Sequence, residues 1–163
     1  MPDLLVNLLK LKTPESLSDE TRVIRRAQPF EITQVRSFIE RNFAAAWADE
    51  VTVGFANKPV SVFVAVIDRQ LVGFAAYECT RRGFFGPTGV VESARGKGIG
   101  KSLLFCSLLA LRELGYVYAI IGGAGPVRFY QSAVGAIVIP DSEPGIYTNS
   151  LRLEPDSEPG MGS

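Results

Sequence analysis

Residues 98–114 (GIGKSLLFCSLLALREL) limit the folds open to this chain more than any other stretch. They form the strongest helical pattern in the sequence and are apolar nearly all round, so most of the helix surface must be buried against other elements. Gly115 is a natural stop. The stretch that opens the helix, Arg95-Gly96-Lys97-Gly98-Ile99-Gly100-Lys101-Ser102, carries three glycines. Each weakens a helix start by roughly 1 kcal/mol relative to alanine, whereas a purely structural strand-to-helix turn needs only one. Glycines let a ligand approach the backbone without interference from Cβ. The first helical turn adds unpaired N–H groups and the positive end of the helix dipole. The stretch therefore predicts a pyrophosphate cradle, with Arg95, Lys97 and Lys101 supplying charge. Two nucleotide loops fail here by one residue each. A dinucleotide fingerprint needs glycine where Lys101 stands, and a Walker loop needs glycine where Arg95 stands. The spacing R-x-x-G-x-G is satisfied.

The rest of the chain supplies what must cover that helix. Residues 3–11 (DLLVNLLKL) read as a short helix broken at Thr13-Pro14, and residues 22–26 as a first strand. Ile32, Val35, Phe38 and Ile39 recur at helical spacing, and 44–51 reads as a second short helix carrying Trp47. Runs 60–67 and 71–79 around Asp68-Arg69-Gln70 predict a hairpin. Run 84–91 (FFGPTGVV) is a strand that Pro87 must interrupt or bulge, because proline lacks a ladder donor. Strand 116–121, helix 126–134 and short strands at 136–139 and 146–153 complete the expected order. This is mixed α/β without regular βαβα alternation. The expected organisation is an N-terminal helix and linker over 1–21, one domain over 22–153, and a disordered tail over 154–163. The N-terminal helix or the last strand offers a homodimer contact.

Composition removes several classes of function. The chain has 163 residues, the size of one domain, and 47% hydrophobic residues, enough for a sizeable core. Lys+Arg and Asp+Glu are both 17, a balance that argues against a nucleic-acid binder. No histidine is present, which excludes His-based triads and nearly every zinc site, so no metal is expected. Cys79 and Cys106 lack CxxC spacing and read as reduced, buried residues. No segment reads as a membrane span or a signal peptide, and the expected location is cytoplasmic.

Arg95-Gly96-Lys97-Gly98-Ile99-Gly100 resembles the acyl-CoA pyrophosphate motif of the GNAT superfamily of N-acetyltransferases, Q/R-x-x-G-x-G/A, with the strand valine of that motif at Val90. A second match lies at Pro126 to Tyr130 and Gly135-Ala136, where the family often shows F-Y-x-x-x-G-F. Four residues separate Tyr130 from Gly135, and Ala136 replaces the aromatic, so helix packing there is expected to differ. Glu92 stands where proline is common. The resemblance covers residues 22–153. It implies an α/β fold of the α+β type: a mixed, mostly antiparallel sheet of about six to seven strands flanked by helices. Two central parallel strands, 84–91 and 116–121, would splay apart for acyl-CoA.

The resemblance also implies a chemistry: acetyl-CoA as co-substrate, and direct attack on the thioester by a primary amine without an acyl-enzyme. The protein would position the reactants, stabilise the oxyanion and protonate the leaving thiolate. Backbone groups at Val90 and Val91 would hold the pantetheine arm, and residues 95–102 the pyrophosphate. Tyr130 is the expected general acid, since a phenol carries a transferable proton at neutral pH. Glu78, a carboxylate in an apolar run, is the candidate base if it faces the cleft; an outward-facing position in an alternating strand is the other reading. Glu92 or a water chain are further alternatives. Trp47, Glu50, Phe85 and Thr88 are candidate acceptor contacts, with Asp49, Phe55 and Phe84 nearby. The acceptor is expected to be a small amine of the amino sugar, polyamine or amino acid type. A non-catalytic acyl-CoA-binding module and a protein N-acetyltransferase are the alternatives.

Overall fold

The computed structural model describes residues 1–151. Its frame is a seven-stranded sheet in the order β2-β3-β4-β5-β6-β1-β7. The strands are β1 (Leu4–Asn7), β2 (Arg22–Arg26), β3 (Val62–Ile67), β4 (Gln70–Tyr77), β5 (Phe84–Val90), β6 (Tyr118–Ile121) and β7 (Ile137–Val138). Every pairing is antiparallel except β5 with β6. The helices are α1 (Ile32–Asn42), α2 (Ala45–Ala56), α3 (Ile99–Glu113) and α4 (Val127–Val134).

Two-residue alternation along β3 and β4 sorts side chains to opposite faces. Val62, Val64, Phe74 and Ala76 join Val35, Phe38 and Ile39 of α1 and Ala48 and Val51 of α2. Ala65, Ala75 and Tyr77 join Leu103, Leu104, Leu108 and Leu111 of α3 on the other face. The near-continuous apolar surface of α3 is thereby explained: it covers the sheet centre and also meets Leu4, Val6 and Leu8. Its one inward hydroxyl pair is led by Ser107, which is fully buried and donates to the Leu103 carbonyl at 3.0 Å.

The N-terminal stretch departs from the expected helix over 3–11. Leu4–Asn7 is a strand between β6 and β7, with Leu4 opposite both Ile121 and Val138. Asn7 then accepts from the Leu9 N–H and caps a short 3₁₀ turn, Leu8–Lys10. A run with apolar residues at 4, 5, 6, 8 and 9 satisfies both periods, and only long-range pairing decides between them. This segment is therefore part of the sheet rather than an appendage. As an internal strand it offers no free edge, and β2 and β7 are the edges. A strand expected from 146 is instead a 3₁₀ turn, Gly145–Tyr147. Residues 148–151 are turn and irregular chain, and 152–163 lie outside the described residues.

Candidate active site

The site exists because β5 outruns β6. The parallel pair has register partners only at Phe84 with Ile120 and Phe85 with Ile121. Beyond Phe85, β6 ends while β5 continues to Val90. Gly86 sits at φ +118°, a conformation L-residues rarely adopt, and Pro87 has no N–H to give a neighbour. A register shift on β4 between Ala75 and Tyr77 bends the strand further. The expected interruption at Pro87 thus opens a cleft of about 640 Å³ between β5, the start of α3 and α4.

Its floor is the glycine stretch. Gly96 and Gly98 have φ of +76° and +78°, so both need glycine for the turn. A Cβ at Gly96 would meet nothing within 4 Å, and one at Gly98 only the Arg22 guanidinium at 3.9 Å. Gly100 has neither a positive φ nor a crowded Cβ position. Its missing side chain leaves open surface on the cleft instead. Ser102 makes the first helical N–H bond, to the Gly98 carbonyl at 3.0 Å. The N–H groups of Ile99, Gly100 and Lys101 have no backbone acceptor among the described residues, the arrangement expected of an anion-binding helix start. Arg95 folds back to donate Nε to the Val90 carbonyl at 3.0 Å. Arg22 of β2 donates to the Lys97 carbonyl and so pins the loop from outside, a role with no local sequence signal. Lys97 and Ser102 do not line the cleft, and Ser102 is buried beneath it.

The two valines differ. The Val91 N–H donates to the Val72 carbonyl at 2.9 Å and is spent on the sheet. Because successive residues of a strand direct their N–H and C=O groups to opposite edges, those of Val90 point to the gap. Thr88 also borders the cleft, but its hydroxyl donates to the Phe74 carbonyl at 3.0 Å. Opposite stands Tyr130 of α4, 6% exposed, edge-on to Phe85 at 6.3 Å and to Phe129 at 5.1 Å. Its hydroxyl has no hydrogen-bond partner among the described residues. Burial pushes its pKa up to about 12, so it is a neutral proton donor at any ordinary pH. Phe129, of the F-Y match, and Phe43, which carried no sequence signal, complete the wall.

A second cavity of about 380 Å³ lies on the other side of Trp47 and Phe85, which border both spaces. Glu50 of α2 lines it and accepts from the Thr80 hydroxyl at 2.7 Å. Tyr147, from the 3₁₀ turn after β7, closes one side. Burial raises its phenol pKa, Glu50 and Asp3 raise it further, and Arg81 opposes them.

Glu78 is not brought to either cavity. It ends β4 in a left-handed conformation, φ +57°, and its carboxylate accepts the Gly83 N–H across the hairpin. It borders a separate surface recess with Asn57 and Leu114. Glu92 opens the 3₁₀ turn after β5 and lies outside both linings. No group of three side chains able to hold a metal occurs among the described residues.

A splayed parallel pair with a glycine-floored helix start beside it forms a cleft suited to an anionic ligand. Residues 58–133 match the family model described as an acetyltransferase (GNAT) domain. The chain's fold is similar to a GCN5-related glucosamine N-acetyltransferase region of a fungal multi-domain GH3 beta-N-acetylglucosaminidase, with TM-score 0.69 at 19% identity over 85% of this chain and 19% of that one. It is similar to a GCN5-related N-acetyltransferase from Sphaerobacter thermophilus, with TM-score 0.67 at 20% identity over 85% of this chain and 48% of that one. A GNAT family acetyltransferase from Brucella melitensis, solved in complex with acetyl-CoA, matches with TM-score 0.55 at 24% identity over 69% of this chain and 82% of that one. The chain thus spans about a fifth and about half of the first two. A comparison with curated proteins gave no match. Among the described residues no helix is long and apolar enough to cross a membrane.

Proposed function

We propose that the protein is an acetyl-CoA-dependent N-acetyltransferase acting on a primary amine of a small molecule. The observation that carries this reading is the meeting of two unlike cavities at Trp47 and Phe85. One is floored by free N–H groups with Arg95 and Lys101 beside it; the other is lined by the carboxylate of Glu50. A polyanion suits the first and a cationic amine the second. The fungal neighbour's glucosamine activity and the Brucella neighbour's bound acetyl-CoA support the same assignment.

Bound acetyl-CoA supplies an acetyl group activated as a thioester. In this chain the N–H groups of Ile99, Gly100 and Lys101 would hold its pyrophosphate, with Arg95 and Lys101 adding charge. The Val90 N–H would take an amide carbonyl of the arm along the gap, while its C=O accepts from Arg95 Nε. Overall a C–N bond forms and a C–S bond breaks: the bound ammonium first releases one proton to solvent, and the neutral amine then loses a second as the sulfur takes one. Tyr130 is the proton donor to sulfur. Its raised pKa is no obstacle, because the apolar wall that disfavours a phenolate disfavours a thiolate beside it as well. Glu50, already a candidate acceptor contact, is the carboxylate that would hold the amine, whereas Glu78, the candidate base, lines neither cavity.

Titration calorimetry with acetyl-CoA, ATP and NAD, followed by CoA release over an amine panel, tests the reading. Acetyl-CoA should bind in preference to the other two. At 100 times its dissociation constant it should stabilise the fold by about 2.7 kcal/mol. Absence of acetyl-CoA binding, or of CoA release with every amine, would overturn it.

A further inference from the structure

We propose that the cavity at Glu50 selects a compact organic monocation, an alkyl- or aralkylamine in its ammonium form, over a hydroxyl-rich amino sugar. This rests on the acetyltransferase reading and names the acceptor class for it. The cavity holds about 380 Å³, and four aromatic rings line it: Trp47, Phe84, Phe85 and Tyr147. Among the described residues Glu50 is the one acid lining either cavity, while Arg95 and Lys101 line the other side of the Trp47–Phe85 wall. Thr80 fixes one Glu50 oxygen, Oε2, by donating at 2.7 Å; Oε1 has no partner among the described residues. The influence of Glu50 on the Tyr147 phenol places the charge and the ring within one electrostatic neighbourhood.

Ring faces and one carboxylate are the chemistry of ammonium recognition. The same surface is poor for a sugar. A pyranose brings several hydroxyls, and each one desolvated without a partner costs affinity. The lining side chains offer only Glu50, Thr80, the Tyr147 hydroxyl and the Trp47 indole N–H as polar groups, and Thr80 already donates to Glu50. A polyamine would bring a second ammonium, and no second acid lines the cavity.

Trp47 is the chain's single tryptophan, so its fluorescence reports on this wall without acetyl-CoA. The protein is titrated at pH 8 with phenethylammonium, tetramethylammonium, spermidine and glucosamine, and CoA release is then measured with the acetylatable amines. Phenethylammonium and tetramethylammonium should perturb Trp47 at concentrations at least about tenfold below glucosamine or spermidine. Glu50→Gln, which can still accept from Thr80, should weaken both monocations by about 10- to 100-fold with little change in melting temperature. Tyr147→Leu, at a position 47% exposed, should weaken tetramethylammonium by about two- to fivefold. If Glu50→Gln melts early, the Tyr147→Leu result decides. Tighter binding of glucosamine, equal binding by both variants, or faster turnover of glucosamine than of phenethylamine would overturn the proposal. Failure of the acetyltransferase reading has a separate signature: the monocations perturb Trp47 as stated, yet no amine releases CoA.

Discussion

Replacing Gly98 by aspartate separates a nucleotide cradle from a tight turn. Gly98 has φ +78°, where a side chain costs roughly 1–2 kcal/mol, less for Asp and Asn than for other residues. No clash adds to this, because the nearest atoms to a built Cβ are Arg22 Nη1 and Nη2 at 3.9 Å. A carboxylate there would pair with Arg22 and recover part of the backbone cost, leaving the fold about 1 kcal/mol weaker. Binding should suffer far more. A carboxylate about 5 Å from a diphosphate in an effective dielectric of about 20 meets roughly 3 kcal/mol of repulsion per unit charge. It would also draw Arg22 away from the Lys97 carbonyl that it pins. Gly98→Asn has the same shape without the charge. Calorimetry with acetyl-CoA should find Gly98→Asn within about tenfold of the parent and Gly98→Asp at least about a hundredfold weaker. Raising the salt should narrow the gap between them. Equal affinities for the Asp and Asn variants would refute the placement of the pyrophosphate on this helix start.

Tyr130→Phe should lower kcat and kcat/KM together by about 10²–10⁴-fold with acetyl-CoA affinity spared, read from steady-state CoA release beside calorimetry; turnover within threefold of the parent would retire Tyr130 as the acid. The same variant tests a stability effect. The folded phenol titrates near 12 against about 10 unfolded, so the neutral form's stability is fully present below pH 10 and is lost as pH rises through 12. That loss is roughly 2–3 kcal/mol in alkaline denaturant melts, and Tyr130→Phe should lack it. Cys79, pushed up to about 11 by burial, should stay unmodified by iodoacetamide at pH 8 while the unfolded chain reacts fully; rapid native labelling at Cys79 would contradict its buried placement.

The parts of the site that local chemistry dictates were legible in the sequence. Three glycines ahead of an apolar helix have no economical structural reason, and the cleft floor lies there. Gly86-Pro87 cannot continue a ladder, and the splay begins beside it. What escaped depends on partners distant in sequence. Leu4–Asn7 is a strand because β6 and β7 flank it. Glu78 leaves the strand alternation because the Gly83 N–H, across the hairpin, takes its carboxylate, and no pattern in the run 71–79 announces a left-handed glutamate. Val90 and Val91 look alike in sequence, yet pairing with Val72 separates the valine that faces the gap from the one spent on the sheet. Tyr147 was invisible because a 3₁₀ turn after a two-residue strand has no period to read.

Gly89 shows how closely the two cavities are built on one strand. Its φ is ordinary, so the turn argument that explains Gly96 and Gly98 does not apply. A Cβ there would fall 2.6 Å from Cε1 and Cζ of Phe43, on the α1–α2 side of the sheet. The Phe43 ring is packed against Phe38, Trp47 and Phe74 at centroid distances of 6.0, 5.8 and 5.6 Å, so it could retreat only into the cleft it lines. Trp47, stacked on Phe43 at an interplanar angle of 26°, is the wall shared by both cavities. The missing side chain at Gly89 therefore lets Phe43 close onto the strand whose next residue, Val90, faces the gap. The position of the wall is then set by the same strand that borders the first cleft. Packing of this density transmits small displacements, so the wall shared by the two cavities and the Val90 edge of the first are held in register by two contacts, Gly89 to Phe43 and Phe43 to Trp47.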